Sequence, residues 1–191
     1  EQITTYEAGA KTNWADGRYV VNAAYFYSDY KDIQLSVFTS YDANGDGVDD
    51  AFFGDFTNAG AGEVQGVELE LTARPVDGLT LQGMVAWLDT KYTEFMSAGV
   101  NVASTQIFTN APEWQYGFNG LYTHAAGAGK SLTWQVGYTF QTKVFPTTDL
   151  SRAIAQNSYG VLNASLALTS DDGRWRVALW GKNRSEERRV G

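Results

Sequence analysis

Along most of the chain apolar and polar residues alternate one for one, the pattern that sends successive side chains to opposite faces of a β-strand. Ser131 to Gln141 shows it most cleanly. Leu132, Trp134, Val136, Tyr138 and Phe140 fall on one face, and Ser131, Thr133, Gln135, Gly137, Thr139 and Gln141 on the other. Val67, Leu69, Leu71 and Ala73 oppose Gly66, Glu68, Glu70, Thr72 and Arg74 in the same way. So do Leu79, Leu81, Val85 and Trp87 against Thr80, Gln82, Met84 and Ala86, and Trp114, Tyr116, Phe118 and Tyr122 against Gln115, Gly117, Asn119 and Thr123. Near the end Leu162, Ala164, Leu166 and Leu168 oppose Asn163, Ser165, Ala167 and Thr169, and Trp175, Val177 and Leu179 oppose Arg174, Arg176 and Lys182. With Thr4 to Trp14 and Arg18 to Val37, the pattern predicts eight strands. Several reach the roughly 9 to 11 residues that a tilted strand needs to cross a bilayer, where soluble strands average about 5 to 6.

The connections predict which end is which. Short turns are expected at 15–17, 75–78, 124–130 and 171–173, where Asp-Gly and Gly-rich steps supply hairpin turn chemistry. Long polar loops are expected at 39–61, 94–113 and 142–157. Short turns at one rim and long loops at the other are the asymmetry of an outer-membrane barrel, with its turns periplasmic and its loops outside.

Composition supports a bilayer setting. Only 43% of residues are hydrophobic and mean hydropathy is −0.30, yet there are 11 Tyr, 10 Phe and 6 Trp. A lipid-facing apolar face alternating with a polar lumen face, plus aromatics gathered at two interfaces, gives this average. No stretch approaches the ~18 uninterrupted apolar residues of a transmembrane helix. The chain opens on Glu1 inside a predicted strand with no signal peptide, so targeting is expected to lie elsewhere. Cysteine is absent, which removes disulfides, thiolate metal sites and a Cys nucleophile. The net charge of −8 disfavours nucleic acid, which calls for clustered Lys and Arg. Residues 184–191 are charged and do not alternate; they suit a solvated non-barrel tail or an artefactual extension, so the barrel reading covers 1–183.

Particular phrases carry a resemblance. Tyr6-Glu7-Ala8-Gly9-Ala10-Lys11, then Asn22-Ala23-Ala24-Tyr25-Phe26-Tyr27 and Tyr30-Lys31-Asp32-Ile33-Gln34, resemble paired strands late in the barrels of TonB-dependent receptors. Asn58-Ala59-Gly60 followed by Glu63-Val64-Gln65-Gly66-Val67-Glu68-Leu69-Glu70 resembles a later strand of that family. Gly78-Leu79-Thr80-Leu81 with Trp87-Leu88-Asp89-Thr90-Lys91-Tyr92 resembles the hairpin after it, and Val177-Ala178-Leu179-Trp180-Gly181-Lys182-Asn183 the penultimate strand. The resemblance implies a barrel of roughly 22 strands, the size of the plugged outer-membrane transporters. It implies an N-terminal plug domain, energy from the TonB complex, and import of ferric siderophores or, in some members, cobalamin, haem or carbohydrate. The chain carries no plug, no TonB box and no final aromatic strand.

Candidate sites are few. Asp42, Asn44, Asp46 and Asp49 occupy the opening positions of a calcium loop, but its twelfth position is Phe53 rather than Glu, and an acidic surface turn is the simpler reading. Glu68 and Glu70 share a face, where polar lumen residues that solvate the interior or pair with Arg74, Arg176 or a plug outweigh an acid–base pair. Gln135 and Arg176 are expected on the same lumen face, with residues 67, 69, 71, 132, 134 and 136 facing lipid. His124 is the only histidine and falls in a predicted short turn, which argues against a hydrolase. Girdle aromatics are Tyr19, Tyr25, Tyr27, Trp87, Trp114, Tyr122, Trp134, Tyr138 and Trp175, while Tyr41, Phe52, Phe53, Phe56 and Phe108 in the loops are the better ligand candidates.

The expectation is therefore an all-β, antiparallel transmembrane barrel segment, an open sheet as a fragment, in the cell outer membrane. Its expected function is that of a non-enzymatic, TonB-energised uptake receptor, with a ferric siderophore as the base-rate ligand. Expected partners are outer-membrane lipid and lipopolysaccharide, the plug domain, the TonB complex and the ligand, with no cofactor unless the acidic loop takes calcium. Rival readings are a passive porin or complete eight-stranded barrel, and a soluble β-sandwich binding module.

Overall fold

A computed structural model describes residues 1–48 and 51–182. They form one antiparallel sheet whose strands lie side by side in chain order: β1 (Gln2–Trp14), β2 (Tyr19–Tyr41), β3 (Ala51–Ala73), β4 (Leu79–Ser97), β6 (Trp114–Ala125), β7 (Lys130–Gln141), β8 (Tyr159–Ser170) and β9 (Arg176–Lys182). The short β5 (Val100–Asn101) folds back on the tip of β4. Among the described residues β1 and β9 each pair on one side only, so the sheet is open, and no second layer covers either face. A sandwich would need that second layer. The tail at 184–191 and Asp49 of the acidic loop lie outside the described residues.

The eight long strands match the alternation, but one predicted loop is largely strand and a second is strand at its start. β2 and β3 continue to Tyr41 and from Ala51, paired residue for residue, so only the tip of the 39–61 stretch is a turn. β4 likewise runs to Ser97 and turns through Ala98 and Gly99, both at positive φ, into β5. His124 belongs to β6, not to the following turn, whose Gly127 and Gly129 carry the positive φ.

Register shows where the two faces exchange polarity. The face bearing Leu69 is built in rows. Val21–Leu71–Gly83–Phe118–Tyr138–Leu162 is one, Ala23–Leu69–Val85–Tyr116–Phe140 the next, and Tyr25–Val67–Trp87–Trp114 the third. Val67, Leu69 and Leu71 are each 42% exposed, too open for a core. The opposite face bears Lys11–Asn22–Glu70–Met84 and Asn13–Val20–Thr72–Gln82–Asn119. One step past Tyr25–Val67–Trp87 the polarity changes over. On the Leu69 face come Tyr27–Gln65–Asp89 and then Asp29–Glu63–Lys91, while the Glu70 face carries Phe26–Gly66–Leu88 and Tyr30–Gly62–Tyr92. The period of two persists, but its apolar phase crosses to the other side.

Candidate functional site

At the long-loop end of the Glu70 face sits the only cluster of buried hydrophobic residues among those described. Ile33, Leu35 and Phe95 form it, and Tyr30, Tyr92, Met96, Val102, Ala103 and Phe108 pack against it. Phe95 is 5% exposed. A bulge at Asp32, whose φ is +53°, shifts β2 against β3 and carries Ile33 and Leu35 into the cluster.

Glycines make the room. A Cβ on Gly60 would meet the Leu35 side chain at 2.5 Å, and one on Gly62 would meet the Phe108 ring at 2.7 Å, so these rings and methyls lie flat on bare backbone. Phe108 stacks on Tyr92 with ring centroids 4.3 Å apart, and Phe95 meets Tyr92 edge-on at 5.1 Å. The segment after β5 is thus a strap across the sheet. It is pinned by Val102 N–H donating to the Phe95 carbonyl at 2.8 Å and turned by a single 3-10 turn, Ala103–Thr105. It also ties into the next loop: Ile107 N–H donates to Thr148 O at 2.9 Å, and Asn110 N–H to Phe145 O at 3.0 Å. That loop is braced by paired backbone hydrogen bonds between Val144 and Gln156. Sequence reasoning found Phe108 but not its partners. The sign it overlooked was Gly60 and Gly62, two residues apart on β3, which leave bare backbone that neighbouring side chains must fill.

The other candidates separate. Glu68, Glu70, Gln135 and Arg176 share the Glu70 face, but not one spot. Glu70 accepts from Asn22 Nδ2 at 3.2 Å, and with Glu7, Lys11, Asn22 and Glu68 it lines a hollow of about 490 Å³. A second hollow, about 320 Å³, takes in Gln135, Asn163 and Lys182. Arg74 pairs with neither glutamate; it reaches the Gly17 carbonyl of the first turn at 3.4 Å.

In the acidic turn the Asp42 carboxylate accepts backbone N–H groups of Asn44, Gly45 and Gly47 at 3.1, 2.6 and 2.7 Å. Those bonds, that from Gly47 foremost, hold its pKa below the ordinary carboxylate range. Asp46 in turn accepts from Val48 N–H at 2.9 Å. Among the described residues no three His, Cys, Asp or Glu side chains converge as a metal site.

His124 lies on the Leu69 face between Tyr122 and Trp134. Its Nδ1 is 3.0 Å from the Ala125 carbonyl, and its Nε2 accepts from Trp134 Nε1–H at 3.3 Å. Phe56, 79% exposed, belongs to β3, and Tyr41 ends β2; the side chains of Phe52 and Phe53 lie outside the described residues.

A sheet of this order, greasy on one face and polar on the other, is matched over residues 1–183 by the family model described as TonB dependent receptor-like, beta-barrel. The chain belongs to that family. Solved TonB-dependent receptors give the same fold. The ferric yersiniabactin uptake receptor FyuA from Yersinia pestis superposes with a TM-score of 0.72 at 20% identity, over 95% of this chain and 24% of that one. BauA, the ferric preacinetobactin receptor from Acinetobacter baumannii, gives 0.65 at 14% identity, over 94% and 24%. The ferric-catecholate import receptor Fiu from E. coli K12 gives 0.61 at 14%, over 94% and 26%. The chain therefore spans about a quarter of those receptors' length. As a TonB-dependent receptor barrel segment it belongs with receptors rather than enzymes.

Proposed function

We propose that this chain is part of the wall of an outer-membrane receptor that imports a scarce nutrient with energy from the TonB complex, a ferric siderophore being the ligand class. The observation that carries the reading is the changeover of polarity along β2–β4. From Tyr19 to Tyr25 the Leu69 face is apolar, as a lipid-facing wall requires, and the Glu70 face is polar, as a water-filled or plugged lumen requires. Above Trp87 the outward side turns polar and the inward side turns apolar, as it would where the wall leaves the bilayer. The short turns then lie on the periplasmic side and the strap faces the extracellular mouth.

Glu68, Glu70, Gln135 and Arg176 face the lumen or a plug domain supplied by the rest of the protein. The Tyr30, Tyr92 and Phe108 rings stand in the mouth, where an incoming ligand first meets the barrel. The solved receptors of the same fold, whose names speak of ferric siderophores, support the ligand class.

The test is uptake of radiolabelled ferric siderophores by cells making the full-length receptor, with and without a functional TonB complex. TonB-dependent accumulation is expected. Accumulation that ignores TonB would favour the passive pore, and a full-length protein that fractionates as soluble would end the membrane reading.

A further inference from the structure

The chain has two Asn-Gly steps, Asn44-Gly45 in the acidic turn and Asn119-Gly120 in β6. In such a step the carboxamide is open to attack by the next backbone nitrogen, because glycine has no side chain to keep the two apart. In the acidic turn the groups that attack needs stand together. Asn44 folds back on its own backbone, its Oδ1 accepting from Asp46 N–H at 2.9 Å while its Nδ2 donates to Asp46 Oδ2 at 3.1 Å. The first of these bonds curls the carboxamide over the peptide of Gly45. Gly45, at φ +80°, has nothing within 4 Å of the place where a Cβ would stand. Its N–H donates to the Asp42 carboxylate at 2.6 Å.

We infer that Asn44 is a self-modifying site, converted by Gly45 through a cyclic imide into aspartate and isoaspartate. The Gly45 nitrogen forms the bond to Asn44 Cγ. Asp42 takes the proton this nitrogen sheds, and Asp46 N–H holds the charge that develops on Oδ1. The Cγ–Nδ2 bond breaks as the proton passes to the departing ammonia, and water then opens the imide at either carbonyl, so water is the only co-reactant. Two neighbours show what selects Asn44. Asp46-Gly47 repeats its geometry, with Gly47 N–H donating to the other Asp42 oxygen at 2.7 Å and Asp46 Oδ1 accepting from Val48 N–H at 2.9 Å, but an ionised carboxylate offers no leaving group. Asn119-Gly120 repeats its sequence, but it lies in a strand paired on both sides, with Asn119 Nδ2 donating across to Gln82 at 3.4 Å. Conversion of Asn44 sets a second carboxylate against Asp46 where a donor had been, and the isoaspartate form adds a carbon to the backbone. The turn that joins β2 to β3 then loosens.

The experiment holds the full-length receptor at neutral pH in heavy-oxygen water, folded in detergent or unfolded in urea, and follows label uptake at Asn44 and Asn119 by peptide mass spectrometry. Unfolded, the two asparagines should convert at similar rates. Folded, Asn44 should convert about tenfold faster than in the unfolded chain, and Asn119 should stop. Asp42→Asn keeps an oxygen to accept the Gly45 N–H but cannot take its proton, so it should bring Asn44 back to the unfolded rate. Hydrogen exchange at Gly45 shows that the turn is kept in this variant. Asn44 converting no faster in the folded receptor than in urea, or as fast in Asp42→Asn as in wild type, overturns the inference.

Discussion

The β2–β4 end of the sheet and the β6–β9 end differ in length and in packing, although both use the same alternating strand. β6, β7 and β8 have 12 residues each and stop where their apolar face stops. β2 and β3 have 23 each and β4 has 19, and the part of β2 from Tyr25 to Tyr41 is on the order of 50 Å of strand. On the proposed membrane reading the hairpin has no lipid to lean on there, and the sheet carries a core of its own with Ile33, Leu35 and Phe95 roofed by Phe108. The short strands carry no such cluster; Leu162 and Val136 remain open on their face. A strand in hydrocarbon gains stability from the medium outside it, whereas a strand in water gains it only from what folds over it.

The largest test of this contrast is Phe95→Ala. Removing a buried ring that nothing else replaces is expected to cost about 3 to 5 kcal/mol. Hydrogen exchange in the full-length protein should show the loss confined to upper β2–β4 and the strap, with β6–β8 amides unchanged. A loss spread evenly over the sheet would mean that the two regions are one cooperative unit.

Next comes a charge scan on the Leu69 face. Arg at Leu69 or Val136 should cost about 2 to 4 kcal/mol if they lie near the midplane, and Arg at Gln65 much less, with Arg at Gln135 on the other face a mild control. Refolding midpoints into vesicles measure it. A high cost at Gln65 would move the membrane boundary upward.

Smaller again is Phe108→Ala, which removes one stacked, half-exposed ring and should cost about 1 to 2 kcal/mol. Protease cutting should then quicken between 102 and 110. Because Ile107 and Asn110 are bonded to Thr148 and Phe145, it should quicken in 142–156 as well. Cutting in the first segment alone would show that the two loops move separately.

The smallest effect concerns the acidic turn. Asp42 has a lowered pKa in the fold, so its contribution is present above its unfolded value, near pH 4, and is lost as pH falls through the folded one. Exchange at the Gly45 and Gly47 amides should accelerate below about pH 4, and Asp42→Ala should make them fast at every pH. An acid-insensitive turn would show that the amides are held by something other than the carboxylate.

The sequence disclosed the lower wall because each residue between Gly66 and Arg74 reports its medium directly: leucine or valine toward one side, glutamate or threonine toward the other. Strand number, chain order and hairpin turns followed from that. The upper part of β2 read as strand as far as Val37, but residues 39–41, 51–61 and 94–97 did not, because Gly54, Asn58, Ala59, Gly60 and Ala61 give no alternation of apolar and polar side chains. The bulge at Asp32 then breaks the phase a second time. His124 was misplaced by one or two residues for a related reason, since a polar ring bonded to Trp134 interrupts an apolar face that in fact continues. The strap was out of reach of any local pattern, because Phe108 meets Gly62 and Tyr92 only after the chain has doubled back.

The ion pairs of Lys31 and Lys91 bear on how such a wall is made. On the proposed reading Lys31 and Lys91 end up outside the cell that synthesised them, so they would have to pass through hydrocarbon during assembly. An isolated ammonium is costly there. Each lysine has a carboxylate of its own within 3.1 Å, Asp29 on the same strand and Glu63 on the next. A β2–β3–β4 sheet already formed before insertion would carry both through as locally neutral pairs, whereas a single extended strand would leave Lys91 bare. On that account the order of events in biogenesis is written into the pairing: hairpins first, crossing second.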